Sequence, residues 1–218
     1  MAEDKVSPAR ASNGEYEFTQ DWFSGYIPIW KELLAQIKPS KILEIGSFEG
    51  RSTCFLIETS GAVRDLELHC VDTWEGGAEH QNLNLDMPAV EQRFRKNISR
   101  AAASVNHKVN FFVHKNRSDL TLVELIASGH ASSFDLIYVD GSHQAPDVLM
   151  DAVLSFRLLR HGGLLIFDDY LLSMDAPGKQ DFFNMAKPAI DSFVNIYQRK
   201  LRVLSAQLYQ LYVQKMSE

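Results

Sequence analysis

A Rossmann-like α/β fold is what the 218-residue sequence predicts: a seven-stranded, mostly parallel sheet with helices on both faces and an antiparallel hairpin at the C-terminus. Three observations carry that expectation. Short apolar runs alternate with helical patterns along the chain, as βαβ units require. The first run, "KILEIG", passes directly into a glycine turn, "GSFEG". Later runs end in acids, Asp72, Asp140 and the pair Asp168 and Asp169, at the strand ends where doubly wound sheets bind ligands.

The elements follow in chain order. Residues 1–18 are polar and rich in Ser, Ala and Asn, and read as a flexible arm before a single domain spanning 19–218. "DWFSGYIPIWKELLAQIK" has apolar residues at helical spacing in its second half and predicts an opening helix. "KILEIG" is the first strand, "RSTCFLIETSGA" its helix and "LELHCVD" the second strand. A long insertion, "TWEGGAEHQNLNLDMP", precedes the amphipathic "AVEQRFRKNISRAAA". "VNFFVHK" is a third strand and "DLTLVELIASG" its helix; "FDLIYVDG" is a fourth. "APDVLMDAVLSFRLLRHGG" reads as a helix with Pro near its first turn and Gly at its end. "LLIFDD" is a fifth strand, followed by the turn-rich "YLLSMDAPGKQ" and a helix from about Phe182 to Arg199. "LRVLSA" and "LYQLYVQ" are β-prone and predict the closing hairpin.

Composition narrows the function classes. Hydrophobic content of 45% and charged content of 23% are globular values. The net charge of −6 argues against a nucleic-acid surface, which needs clustered Lys and Arg. No run is long enough to span a bilayer, and the N-terminus has no apolar signal-peptide core, so no membrane partner and a cytoplasmic location are expected. The two cysteines, Cys54 and Cys70, lie in apolar surroundings without a CxxC partner and read as buried hydrophobes in a reducing compartment.

The glycine turn is the first functional signal. A dinucleotide site would read G-x-G-x-x-G, whereas Gly46 and Gly50 are three residues apart and Ser47 and Arg51 stand where glycine is wanted. The preceding carboxylate, Glu44, suits a cationic ligand better than a pyrophosphate. "LEIGSFEGRST" resembles the first motif of class I S-adenosylmethionine-dependent methyltransferases. That resemblance implies cofactor contact from Glu44, Gly46, Ser47, Phe48 and Gly50, with Ser52 opening the next helix. Asp72, at the tip of the second strand and followed by Thr73, suits a grip on two ribose hydroxyls. The family resemblance places Ser118 by the adenine; as a residue, Ser118 before Asp119 serves equally as a helix N-cap.

The second signal is the acid group. Parallel neighbours lie about 4.8 Å apart, so Asp140, Asp168 and Asp169 should converge at one sheet edge. Clustered carboxylates repel unless a proton or cation intervenes, and hard oxygen ligands favour Mg²⁺, Mn²⁺ or Ca²⁺. The alternative has Asp168 capping a loop, Asp169 facing water and Asp140 meeting the cofactor's amino end. "VDGSH…HGGLLIFDDY" is similar to the metal-dependent O-methyltransferases, both catechol-type and small bacterial enzymes of sugars and natural products. The likeness runs from about Trp30 to Asp169 and implies S-adenosylmethionine, Mg²⁺ and a small-molecule acceptor. Asp169 replaces the asparagine of catechol-type enzymes, which leans towards the second group. His143 stands where those enzymes carry a lysine base; it suits proton abstraction, or capping of the following helix.

The expected chemistry is in-line methyl transfer, with Asp140, Asp168 and Asp169 on a cation and His143 removing the acceptor's proton. The segment Thr73–Pro88 reads as a lid, a substrate loop or a dimer contact, and "YLLSMDAPGKQDFF" as a substrate wall. Trp22, Phe23 and Tyr26 offer a surface for a homodimer. The rival readings are an NAD-linked oxidoreductase, a non-catalytic cofactor-binding subunit and an aminopropyltransferase, which shares the fold and needs no metal.

Overall fold

The structure is a computed structural model that describes residues 4–5, 15–77, 80, 83–173, 175–176, 178–206 and 209–218. The chain forms two compact units, Met1–Asn116 and Arg117–Glu218.

In the first unit, β1 (Lys41–Ile45), β2 (Leu66–Asp72) and β3 (Val109–Lys115) pair in parallel, with β2 in the middle. A two-residue strand, Asp4–Lys5, runs antiparallel to β3. After Lys41 every residue of β1 is buried, which is why the strand reads as a nearly unbroken apolar run rather than an alternating one. Its helices are α1 (Ile27–Ile37), α2 (Arg51–Ser60) and α3 (Met87–Ser104). The helix expected from Ala89 begins two residues earlier. Asp86 caps it by accepting from the Ala89 N–H at 3.2 Å, and Pro88 sits in a first turn where its missing N–H costs nothing. The core gathers Leu43, Ile45, Leu56, Leu68, Phe94 and Ile98, each stabilising by roughly 1.5–3 kcal/mol on burial.

Most of the expected N-terminal arm lies outside the described residues. Its last part is held: the Glu17 N–H donates to Asn97 Oδ1, and Asn97 Nδ2 returns a bond to the Glu17 carbonyl, both at 2.9 Å. Of the aromatics expected at the surface, Trp22 is exposed, whereas Phe23 is buried against Trp30 and Phe55 with ring centroids 5.0 and 5.4 Å away.

In the second unit, β4 (Phe134–Val139) and β5 (Leu159–Phe167) are parallel, β7 (Leu211–Lys215) runs antiparallel to β5, and β6 (Leu201–Val203) antiparallel to β7. The helices are α4 (Ser118–Leu125), continued by a wider turn to His130, α5 (Ala145–Leu158) and α6 (Ala186–Tyr197). All seven expected strands form, with the expected directions and the closing antiparallel hairpin, giving a Rossmann-like fold.

Two boundaries differ from expectation. The fifth strand starts at Leu159 rather than Leu164, because "LRHGG" leaves α5 and joins the sheet through an irregularity; Gly162 takes φ 75° there, a conformation glycine adopts without strain. The helix expected from Phe182 is a short 3₁₀ turn, Phe182–Asn184, and α6 starts only after Met185, whose backbone is extended. Both cysteines are free and buried, and no described helix is long and apolar enough to cross a membrane.

Candidate active site

The glycine turn of the first unit is shaped by three alternate residues in the left-handed region: Gly46 at φ 81°, Phe48 at 47° and Gly50 at 81°. This aims two successive N–H groups, of Ser47 and Phe48, at one point, the arrangement that makes an anion-binding concavity. Asp72 fills it. Its Oδ2 accepts from both N–H groups at 2.9 Å, and its Oδ1 accepts from the Trp74 N–H at 2.7 Å. The Trp74 indole N–H donates to the Phe48 carbonyl at 3.0 Å, tying the tip of β2 to the turn a second time. Gly50 is needed for space as well as conformation, since a Cβ there would lie 2.9 Å from the Phe94 ring.

Glu44 explains why an apolar strand ends in a carboxylate. It is fully buried, and its oxygens accept from Ser52 Oγ at 2.6 Å, from Ser47 Oγ at 2.7 Å and from Thr53 Oγ1. Burial pushes its pKa up to about 6, against the pull of the three hydroxyls. Glu44 therefore locks the strand end, the turn and the first turn of α2 into one piece. Among the residues expected to meet a cofactor, Gly46, Phe48, Asp72 and Thr73 are partly exposed, whereas Glu44, Ser47, Gly50 and Ser52 are buried. Phe48 stacks on His80 with centroids 5.2 Å apart, and Trp22 lies 5.0 Å from Phe48, so aromatic surface flanks the turn. Within the expected lid, residues 78–79 and 81–82 lie outside the described residues.

In the second unit, Asp140 and Asp168 come side by side as their strand positions require. Val139 pairs with Phe167 in the parallel ladder, so Asp140 and Asp168 leave β4 and β5 side by side. The Tyr138 hydroxyl lies between them, 2.9 Å from Asp140 Oδ2 and hydrogen-bonded to Asp168 Oδ2. Gln210 Nε2 also donates to Asp168 Oδ2, at 2.8 Å, and the Asp169 N–H donates to Oδ1 at 2.8 Å. Asp169, at φ 55°, turns the chain out of the sheet, and its Oδ2 meets His143 Nδ1 at 3.2 Å. His143 and Asp169 are 22% and 21% exposed, enough for a ligand to reach them. These residues line a crevice of about 10 Å³ with Val148, Phe167 and Ala186.

Electrostatics follow from the crowding. Enclosure, then the charges of Asp168 and Asp169, push Asp140 well above the usual carboxylate range. Burial, then Asp169, raises Asp168 to about 6. Burial and the two carboxylates raise the Tyr138 hydroxyl likewise.

Ser118 is the first residue of α4, behind Arg117 at the cap position, and its hydroxyl bonds the buried Asp151. Three residues of these sites read as ordinary sequence. Tyr138 sits in an apolar strand run, and only its polar tip, which a buried strand must satisfy, hints at a partner. Gln210 shows no local signal at all. Glu49, the acid inside the glycine turn, is buried and accepts from the Thr19 N–H and hydroxyl at 2.6 and 2.8 Å and from Arg93 Nε at 2.6 Å.

A family described as "Methyltransferase domain" matches residues 43–170. The Dictyostelium discoideum protein named "Probable caffeoyl-CoA O-methyltransferase 3" is 33% identical over 69 residues, 32% of this chain and 26% of that protein. The chain thus matches only about a quarter of that relative's length. The O-methyltransferase TomG from Streptomyces achromogenes, involved in tomaymycin synthesis and solved with SAM, is similar over 90% of this chain and 82% of its own, with a TM-score of 0.63 at 18% identity. The O-methyltransferase from Bacillus cereus, solved with SAH, is similar over 90% and 84%, with a TM-score of 0.58 at 18% identity. At such identity these two likenesses show the fold.

Proposed function

The chain belongs to the methyltransferase-domain family matched over residues 43–170, and from that premise we propose that it is an S-adenosylmethionine-dependent O-methyltransferase acting on a small-molecule hydroxyl with the help of a divalent cation. The observation that carries the proposal is the crevice in which Asp140, Asp168 and Asp169 meet His143.

The donor set fits a hard cation. Three carboxylates and no thiol line a crevice of about 10 Å³, close to the room one water-sized ligand needs. Asp168 Oδ2 accepts from the Tyr138 hydroxyl and from Gln210 Nε2, and Oδ1 accepts from the Asp169 N–H. Mg²⁺ is the natural occupant, and a bound divalent ion would supply the positive charge that acidifies an acceptor hydroxyl. S-adenosylmethionine supplies a methyl group already activated on its sulfonium.

The chain's own residues do the rest. Asp169 at Nδ1 favours the His143 tautomer with Nδ1 protonated, which makes Nε2 the basic nitrogen that takes the acceptor's proton. The same carboxylate stabilises the imidazolium that results. In the first unit, Asp72 Oδ1 has one donor among the described residues and keeps capacity to accept from a ribose hydroxyl. The exposed edges of Gly46 and Phe48 would flank the donor. An acceptor with two vicinal oxygens, as in sugars, catechols and many natural-product scaffolds, suits a cation held by three carboxylates.

The test is isothermal titration of S-adenosylhomocysteine into chelated protein, repeated with Mg²⁺ and with diols. Micromolar binding of the product cofactor, and diol binding only with Mg²⁺, are expected. Asp168→Ala should abolish diol binding and leave S-adenosylhomocysteine binding intact. Absence of S-adenosylhomocysteine binding would overturn the donor assignment; methyl transfer that survives both chelation and Asp168→Ala would overturn the metal.

A further inference from the structure

We infer that Gln210, just before the closing strand, and Tyr212 on it are positioning residues that hold the Asp168 carboxylate in place through its Oδ2. The inference rests on the cation-assisted reading above and adds to it the residues that aim a ligand.

Register puts the pair in place. In the antiparallel ladder Phe167 lies opposite Leu211, so the next step along sets Gln210 opposite Asp168. Gln210 Nε2 donates to Asp168 Oδ2 at 2.8 Å, and Gln210 Oε1 accepts from the Tyr212 hydroxyl at 2.6 Å. A hydroxyl donating to Oε1 fixes which end of the amide faces the carboxylate, because the NH₂ end cannot accept. Tyr138 reaches the same Oδ2 from β4. Asp168 Oδ2 is thus held both from β4 and from the residue just before β7, while Oδ1 accepts from the Asp169 N–H.

Burial makes the arrangement costly unless it is complete. Gln210, Tyr212 and Tyr138 are each 1% exposed. Apolar residues would fill those sites without the need to satisfy four polar ends in a dry environment. The donors also face a specific problem: Asp140 and Asp169 repel Asp168, and donors on Oδ2 hold the carboxylate against that repulsion. Donors behind a metal ligand set its orientation, and removing them lowers metal affinity by about 10–100-fold.

The experiment titrates Mn²⁺ into the full chain, followed by electron paramagnetic resonance of the free ion, for wild type, Gln210→Leu and Tyr212→Phe. S-adenosylhomocysteine affinity and thermal melting are measured on the same samples. The expected result is a loss in Mn²⁺ affinity of about 10-fold or more for Gln210→Leu. A smaller loss is expected for Tyr212→Phe, with S-adenosylhomocysteine binding unchanged in both. Lowered melting temperatures with unchanged Mn²⁺ affinity would make these residues structural only and overturn the inference. If Gln210→Leu does not fold, Tyr212→Phe, which removes one oxygen, decides alone. A wild type that binds S-adenosylhomocysteine but not Mn²⁺ would remove the cation reading and this inference with it, leaving the methyl-donor assignment standing.

Discussion

Asp151 on α5 is 2% exposed, and its Oδ1 has no hydrogen-bond partner among the described residues. Burial pushes its pKa up to about 7, with Asp147 and Asp119 adding to the rise and the Ser118 hydroxyl opposing it. The folded chain therefore keeps a proton that the unfolded chain releases near pH 4, so this contribution to stability is complete at low pH and is lost as pH rises through about 7. Asp151→Asn should be the more stable protein at pH 8, by up to about 4 kcal/mol at about 1.36 kcal/mol per pKa unit. Its advantage should shrink towards pH 4. Thermal melts of both proteins at pH 5, 6.5 and 8 check this, and parallel curves would contradict it. Gly50 supplies a second residue-scale test. Alanine there must take φ 81° and press its Cβ to 2.9 Å from Phe94, for an expected loss of about 2–4 kcal/mol in urea unfolding. A loss under about 0.5 kcal/mol would mean that the turn and Phe94 yield freely.

At the scale of elements, one lysine joins the closing hairpin to the helix before β5. Lys215, 1% exposed, donates to the Phe156 and Leu159 carbonyls at 3.1 and 2.8 Å, beyond the reach of α5's own ladder. It also pairs with Glu218 at 2.9 Å and sits 5.0 Å from the centre of the Phe156 ring. A cation suits a helix C-terminus, whose last carbonyls have no partner in the helix. Lys215→Met keeps the apolar stem and deletes the donors. It should cost about 2–4 kcal/mol and speed amide exchange in β6 and β7 first; uniform exchange across the unit would argue against a local role. The element boundaries themselves follow local chemistry where a signal exists. Asp86 and Pro88 announce α3, whereas the early start of β5 at Leu159 depends on pairing with β4, which nothing in "LRHGG" encodes.

For the whole molecule, a ligand that binds only the folded chain stabilises it by about 2.7 kcal/mol at a hundredfold excess over Kd. In a chain of this size that corresponds to a shift in Tm of roughly 5–10 °C. Mg²⁺ at such an excess should raise Tm over that in chelator, and Asp168→Ala should abolish the shift. Equal melting of wild type with and without the ion would count against the site.

Much of this protein was legible before folding. Strand and helix alternation, the seven strands, the glycine turn and the run-final acids Asp72, Asp140, Asp168 and Asp169 are local features, set by periodicity and turn chemistry within a few residues. The partners were not. That Glu44 turns inward to three hydroxyls, that Asp72 occupies the concavity of the turn, and that Gln210 backs Asp168 across 42 residues of chain are matters of side-chain contact. An acid's place at a strand tip is written in the run that precedes it. Which way its carboxylate faces depends on donors that only strand register and burial bring within hydrogen-bond reach.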